Sequence, residues 1–584
     1  MCVENRKNRV YFCGLQMFFV FCWAINLLET DSFYSVYILC AILAVAGIVH
    51  HGEERSQLQK GSIVVLALAS AAFSLAAMLA NYRLFLPVRA SILKILSAFA
   101  GGFTVCWNIL AWLCKKVPFR QLEQRNASLK KRVAVFFLSF CAFTAVNLAY
   151  LFFASYPGIL TPDSLFQIEE IHNGYTSNHH PFWHTVVIAV FFNLGRNLFG
   201  NSNAAVATYS VASVLFMASC FSYTIVTLYR AGATKKALLL CGLIYVLAPY
   251  HIAYSVTMWK DVAFSAMVLI LVVSLFRVFR KIGHLYWNLG GMFISGIAIS
   301  VWRSNGWLAL IAFVACLVLY CLLYKEPLRK PILALFAAIL VGWFMRSPVL
   351  SAMNITQPDL VESLSVPVQQ IARVISENRE LSAEETELLS RILDIEEIPE
   401  LYKPYISDPI KHEIRTKGLD YFIANKATYL KLWVSLGLRY PGDYIKAWVD
   451  QTRGYYNGGY LYWVYSTGVR ANEYGITTEV EPNVIQGIFE KYFNMFSASP
   501  LMEPIKSIGL HVWGLCALLV VSLIKKRKEL LLCILPLMVV GTLLVATPVF
   551  SEFRYAYSVF TTIPFLTVIC LNVFRDKEGV DERG

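Results

Sequence analysis

Charge is scarce in this sequence. Only 15% of the 584 residues are Asp, Glu, Lys or Arg, 57% are hydrophobic, and windows of about twenty apolar residues recur along most of the chain. About 20 helical residues cross a hydrocarbon core of roughly 30 Å, so the pattern specifies a polytopic membrane protein rather than one soluble core. Cysteine is absent from 347–505, the one long stretch polar enough to fold in water. The 14 cysteines elsewhere lie almost wholly in apolar spans, where they read as small core residues and argue against a disulfide framework. No Walker loop occurs, nor a G-x-G-x-x-G in a strand–helix setting, so nucleotide binding is unsupported; HExxH and CxxC are missing too. The first apolar span lacks a small-residue cleavage site and a second follows at once, so it reads as a retained anchor.

The formal charge of +13 sits in short clusters between the apolar runs, which argues for membrane orientation rather than nucleic acid. Helices are predicted near 10–28, 32–50, 61–81, 91–114, 133–155, 204–229, 237–250, 262–280, 286–302, 306–324, 331–346, 507–524, 529–547 and 553–574. The basic clusters at 5–9, 115–132, 230–236, 276–281, 325–330 and 525–528 then all fall on the cytoplasmic side, provided that the apolar run 182–199 does not cross. That run is placed as an interfacial or re-entrant helix, with Arg196 towards the surface. The expectation is an all-α protein of about fourteen crossings with both termini cytoplasmic. It divides into an N-terminal four-helix region (1–132), a membrane core (133–346) with an outer loop at 156–203, a mostly helical extracytoplasmic domain (347–505), and a C-terminal three-helix region with a tail (506–584).

On this topology five polar features share the outer face: the stretch TPDSLFQIEEIHNGYTSNHHPFWHT (161–185), the tips YHIAYSVTMWKD (250–261), WRSNG (302–306) and TPVFSEFR (547–554), and the polar domain. In TPDS, Thr161 suits a helix cap, Pro162 its first position and Asp163 its first turn. Asp163 is either only that or a general base that an acceptor hydroxyl approaches. His180 and His184 stand four apart, with His172 and His179 nearby, but Pro181 separates them from a shared helical face, which favours orienting roles over a zinc site. Lys260, Asp261, Arg303, Asn305, Glu552, Arg554 and Tyr555 lie at span ends. They are snorkelling or internally paired groups, or Lys260, Arg303 and Arg554 among them bind the phosphate of a lipid-linked substrate at headgroup level. The run GYYNGGYLYWVY (454–465) suits either sugar packing or an interfacial belt. VPVQQIARVI (366–375) is amphipathic enough to lie on the membrane or on the bundle, and Ser382 with Glu385 forms a capping box.

These features together resemble the GT-C superfamily of membrane glycosyltransferases. A closer likeness is to a family of bacterial multi-pass membrane proteins with no assigned reaction. It rests on the patterns at Tyr156–Gln167, His179–Pro181, Trp259–Asp261, Arg303–Gly306 and Pro367–Arg373, and spans roughly 150–560. The GT-C resemblance implies that Asp163 is the catalytic base and that the donor is a sugar on a polyprenyl phosphate. The acceptor is then a cell-envelope glycan, lipid or protein. Gln167, His179, His180, Lys260, Asp261, Arg303, Asn305, Glu552, Arg554 and Tyr555 become the candidate substrate-binding residues. Asp-Ser stands here where Asp-Glu is frequent, and His-His-Pro-Phe where His-Pro-Pro-Leu is frequent, so donor and acceptor stay open. The resemblance leaves a divalent metal open and names no ligand for it. It implies a site on the outer face of the bacterial plasma membrane. The rival classes are a transporter or flippase of lipid-linked saccharides, a polymerase, ligase or O-acyltransferase, and a membrane scaffold.

Overall fold

A computed structural model describes residues 2–28, 34–51, 60–85, 92–116 and 124–572. The membrane part begins with α1 (Cys2–Leu28), α2 (Tyr34–His51), α3 (Lys60–Ala80), α4 (Ile92–Lys116) and α5 (Leu129–Ala154). It continues with α6 (Pro162–Asn173), α7 (Phe182–Phe199), α8 (Ser202–Arg230), α9 (Lys235–Leu247), α10 (Pro249–Ser255), α11 (Lys260–Phe279), α12 (Leu285–Trp302), α13 (Ser304–Tyr324) and α14 (Arg329–Arg346). The polar region holds α15 (Pro348–Ala352), α16 (Ser365–Ser376), α17 (Ala383–Ser390), α18 (Ile398–Leu401), α19 (Asp408–Lys417), α20 (Leu419–Ala424), α21 (Lys426–Arg439), α22 (Pro441–Thr452), α23 (Val484–Ala498) and α24 (Glu503–Lys506). α25 (Ile508–Ile524), α26 (Leu530–Ala546) and α27 (Tyr557–Cys570) complete the chain. Among the described residues, extended segments form isolated bridges and no strand.

Nine of these helices are long and apolar enough to cross a membrane, or eleven if two bent pairs each count as one broken span, among the described residues. The bent pairs are α9–α10, at 52°, and Pro500–Lys506 with α25, at 55°. Shorter apolar stretches at Tyr11–Leu27, Tyr34–Val49 and Leu530–Ala546 fall where the sequence predicts three more spans. α7 is not among the candidate spans. The side chains of the 5–9 cluster, residues 117–123 and the tail from 573 lie outside the described residues.

The bundle is centred on α11. Of its apolar window 83% is buried, against 22% for α5, so α11 is enclosed while α5 faces outward from the bundle. The loops gather at two ends. At one end the Arg125 amide donates to Arg230 O (2.9 Å), the Gln124 side chain donates to Arg280 O, Arg280 pairs with Glu529, and Lys528 pairs with Glu326 (3.8 Å). At the other, Ile159 bridges Thr257, Leu160 bridges Val469, Ile406 bridges Val549 and Trp463 bridges Glu552. Among the described residues, the basic loops that the charge pattern assigns to one side therefore share an end, and the polar tips share the other.

The polar region has its own core, including Val361, Ala372, Leu389, Ile410 and Leu436. α16, expected on the membrane or the bundle, is the central helix of this core and also touches the bundle at α26. Its buried Gln369, Gln370 and Arg373 side chains each make at least one polar contact within the fold. Gln369 Nε2 donates to Lys403 O (2.7 Å), Gln370 Oε1 accepts from Trp433 Nε1 (2.8 Å), and Arg373 pairs with Asp450 (2.9 Å). The Pro367–Arg373 pattern thus builds the domain. Asp450 also accepts from Tyr82 Oη (2.9 Å), which fastens the domain to the N-terminal helices. The Ser382–Glu385 capping box forms as the sequence predicts.

The aromatic run 454–465 packs in part: Tyr455 and Tyr456 are buried and Tyr460 donates to Asn81 Oδ1 (2.8 Å), while Tyr462 stays exposed. The Asn457 backbone lies directly on Gly509, where an added Cβ would be 2.7 Å from the Asn457 nitrogen. Gly509→Ala is accordingly expected to cost about 1–3 kcal/mol through overpacking. Gly487→Ala, with open space around it, should not destabilise. Thermal unfolding of the two purified variants checks the contrast.

Candidate functional site

The start of α6 is built as TPDS predicts, with Thr161 as the extended N-cap, Pro162 first and Asp163 in the first turn. It is tied to the segment entering α11. Ser164 Oγ accepts from the Thr161 amide (3.2 Å) and donates to Met258 O (2.9 Å), and Trp259 Nε1 donates to Thr161 Oγ1 (2.7 Å). Just upstream, Gly158 sits at φ +132°, where a Cβ would also meet Val256 O at 2.9 Å, so the approach requires glycine.

This framework makes Asp163 Oδ2 a hub. Arg554 Nη1 lies at 2.7 Å, and Lys260 Nζ and His180 Nδ1 each at 3.9 Å. Lys260 Nζ donates to His180 Nδ1 (3.2 Å). An ammonium only donates, so His180 accepts through Nδ1 and is the neutral imidazole with its proton on Nε2. Burial, and then the Lys260 charge, hold His180 well below the ordinary imidazole range. Burial pushes the Asp163 carboxyl up, but Arg554 and then Lys260 outweigh it and hold the group well below the usual carboxylate range. The Asp163 side chain stays 25% exposed, so a ligand can reach it.

A second layer lies behind. Asp261 is fully buried and pairs with Arg303 Nη1 at 2.6 Å. Glu552 is buried with its Oε1 3.2 Å from Arg554 Nε. Burial pushes the Glu552 carboxyl up to about 7 against the opposing pull of Arg554. Tyr555 lies under two guanidinium groups, Arg303 at 4.8 Å and Arg554 at 5.2 Å from its ring centre. Trp259 stacks under Arg554 (5.1 Å) and meets the Trp463 ring edge to face (5.5 Å).

Of the sequence candidates, Asp163, His180, Lys260 and Arg554 meet directly, and Asp261, Arg303, Glu552 and Tyr555 support them. His179 is exposed at the rim, against His180 and Phe166. Two candidates do not join. Gln167, expected to bind substrate, is buried and donates to Thr185 Oγ1 (2.8 Å) beside His184 Nδ1 (3.0 Å), while His184 Nε2 meets Tyr209 Oη (3.0 Å). It holds α6 onto α7 and α8. Asn305 donates to Thr542 Oγ1 (2.9 Å), joining α13 to α26. Trp463 lies in the aromatic run that the sequence offers for sugar packing, whereas Trp259 was not legible as a site residue. Trp259 resembles an interface anchor in sequence, yet it is fully buried. Its place beside Lys260 and Asp261 was the available signal.

Among the described residues no three His, Cys, Asp or Glu side chains stand close enough to hold a metal ion. At Asp163 the donors are one carboxylate and one imidazole facing two cations, a set that repels a dication. No curated protein and no solved structure matches the chain. Residues 169–583 match a family of unknown function, DUF6020, so the match opens six residues after Asp163 and takes in Lys260, Arg303 and Arg554. Because that match covers most of the sequence, the chain belongs to the DUF6020 family.

Proposed function

We propose that the chain is a GT-C-type transferase that moves a sugar from a polyprenyl phosphate to a cell-envelope glycan, lipid or protein. The site would face outward from a bacterial plasma membrane, with about fourteen crossings and both termini inside. Support for that orientation comes from the basic loops, which gather at the end remote from Asp163. The observation that carries the proposal is the partly open Asp163 carboxylate beside Arg554 and Lys260, where a base and a phosphate site coincide.

In the proposed reaction Asp163 takes the proton of an acceptor hydroxyl as its oxygen bonds to the anomeric carbon. The bond from that carbon to the polyprenyl phosphate breaks, and its electron pair leaves on the phosphate oxygen. Arg554 and Lys260 stabilise the charge that grows there, more in the transition state than before it. At rest these cations neutralise Asp163 and keep it a weak base. A bound phosphate draws them away and so raises its basicity, which couples donor binding to activation. A single displacement inverts the anomeric configuration. No step is assigned to a metal.

Three cations, Lys260, Arg303 and Arg554, face three carboxylates, Asp163, Asp261 and Glu552. Glu552 decides the balance. Its carboxyl is raised to about 7, so below that pH it is neutral and the cluster has an excess positive charge; above it the charges cancel. Affinity for an anionic lipid phosphate is therefore expected to fall as pH rises from 6 to 8, and Glu552→Gln should flatten the dependence. Binding of a polyprenyl-phosphate sugar, a phosphodiester whose single charge does not change between pH 6 and 8, to protein in nanodiscs across that range checks it.

The transporter alternative draws on the bent α9–α10 pair, since broken spans mark many transporter sites. Transfer of label from a panel of polyprenyl-phosphate sugars to envelope acceptors, by wild type and Asp163→Asn at matched folding, separates the two. Transfer that collapses in the variant supports catalysis. Equal binding of lipid-linked sugar with transfer by neither supports transport.

A further inference from the structure

The polar domain encloses a cavity of about 440 Å³ between α16, α17, α19, α20 and α21, unconnected with any candidate from the Asp163 cluster. The volume is that of a ligand site rather than a packing defect. Leu364, Ile371, Leu393, Phe422 and Trp433 are among its walls. The polar atoms on those walls are already used: Trp433 Nε1 donates to Gln370 Oε1 (2.8 Å) and Tyr429 Oη to Leu388 O (2.7 Å). A polar ligand would find nothing to bind inside. The one charged lining residue is Lys426, which is exposed and makes no ion pair among the described residues.

The mouth continues onto an exposed apolar stripe. Leu430, itself a lining residue, is followed at four-residue spacing by Val434 and Leu438, which are 60%, 45% and 80% exposed. Such a face is costly in water unless something apolar covers it. α21 leads directly into α22, which contacts α3 and whose Trp448 Nε1 donates to Leu544 O (2.7 Å) inside the apolar α26. The stripe is thus carried by a helix hairpin seated on the membrane part, with the exposed Lys426 at its N-terminal end, four residues before Leu430 and beside the cavity. An alkyl chain in the cavity, an anionic headgroup at Lys426 and surrounding lipid on the stripe satisfy all three features together.

We propose that the cavity takes one hydrocarbon chain of an anionic membrane lipid, entering over the exposed stripe of α21 with its headgroup at Lys426. The assignment does not rest on the transferase proposal.

The test uses the full-length protein in phosphatidylcholine nanodiscs doped with phosphatidylglycerol carrying a diazirine in one acyl chain. After irradiation the adducts are mapped by peptide mass spectrometry. Adducts are expected on 360–371 and 389–393, and Leu393→Trp, which fills the cavity, should remove them while adducts on the membrane spans persist. Lys426→Ala, an exposed change that leaves the core untouched, should reduce them about fivefold, the effect of roughly one lysine–headgroup contact. With the same diazirine on phosphatidylcholine, that variant should label as wild type does. Adducts confined to Leu430, Val434 and Leu438 would overturn the proposal, since the chain would then lie on the domain and not in it. Equal labelling of the cavity segments by both probes in every variant would overturn it too.

Discussion

Asp163→Asn is expected to lower the proposed sugar transfer by about 10²–10⁴-fold, the usual contribution of a positioned general base. The loss should fall on kcat. Asparagine keeps the shape and still suits the first turn of α6, so folding should survive, as should the hydrogen bonds of Thr161 and Ser164 that anchor the turn. Arg554 and Lys260 lose their carboxylate partner and become freer for phosphate, so affinity for the lipid-phosphate donor should hold or rise. A parallel fall in kcat and in donor affinity would contradict this division of roles. Transfer equal to wild type would leave Asp163 as a helix-capping residue alone.

The largest stability effect should come from Arg303. Asp261 is fully buried, and neither of its carboxylate oxygens makes a hydrogen bond among the described residues, so the guanidinium 2.6 Å away is its compensation. Removing one partner of a buried pair leaves an uncompensated charge, and Arg303→Ala should cost about 3–5 kcal/mol. Replacing both, as Arg303→Met with Asp261→Leu, should recover most of that loss, because two apolar groups carry no desolvation penalty. Thermal unfolding of the single and double variants in one detergent reads the difference directly. A single variant as stable as wild type would show that Asp261 is neutralised by another route.

Much of the architecture was legible because hydrophobic runs and basic clusters are local signals. Apart from α1, which begins at Cys2 rather than near 10, the helix ends come out within about four residues, and the polar tips expected together meet together. The site was legible as far as residue type and sidedness reach, which brought in Asp163, Lys260 and Arg554. What a polar side chain pairs with was not legible. Gln167 and Asn305 carry the same chemistry as binding residues, and only the packing of α6 on α7 and of α13 on α26 shows that their hydrogen bonds are spent within the fold. The amphipathic face of α16 misled for a related reason: amphipathicity says that a face is covered but not by what. Trp259 was hidden because a tryptophan at a span end serves equally well as an anchor in lipid or as a donor to a buried threonine.

The contact between Arg554 and Asp163 joins residues 391 positions apart. During synthesis the carboxylate enters the membrane protein long before its cation is made. A nascent chain that stops short of Arg554 holds half of this charge pair. On the proposed function, activity is then withheld until the last segment inserts, and a product truncated before it is inert at this site without needing a separate inhibitor.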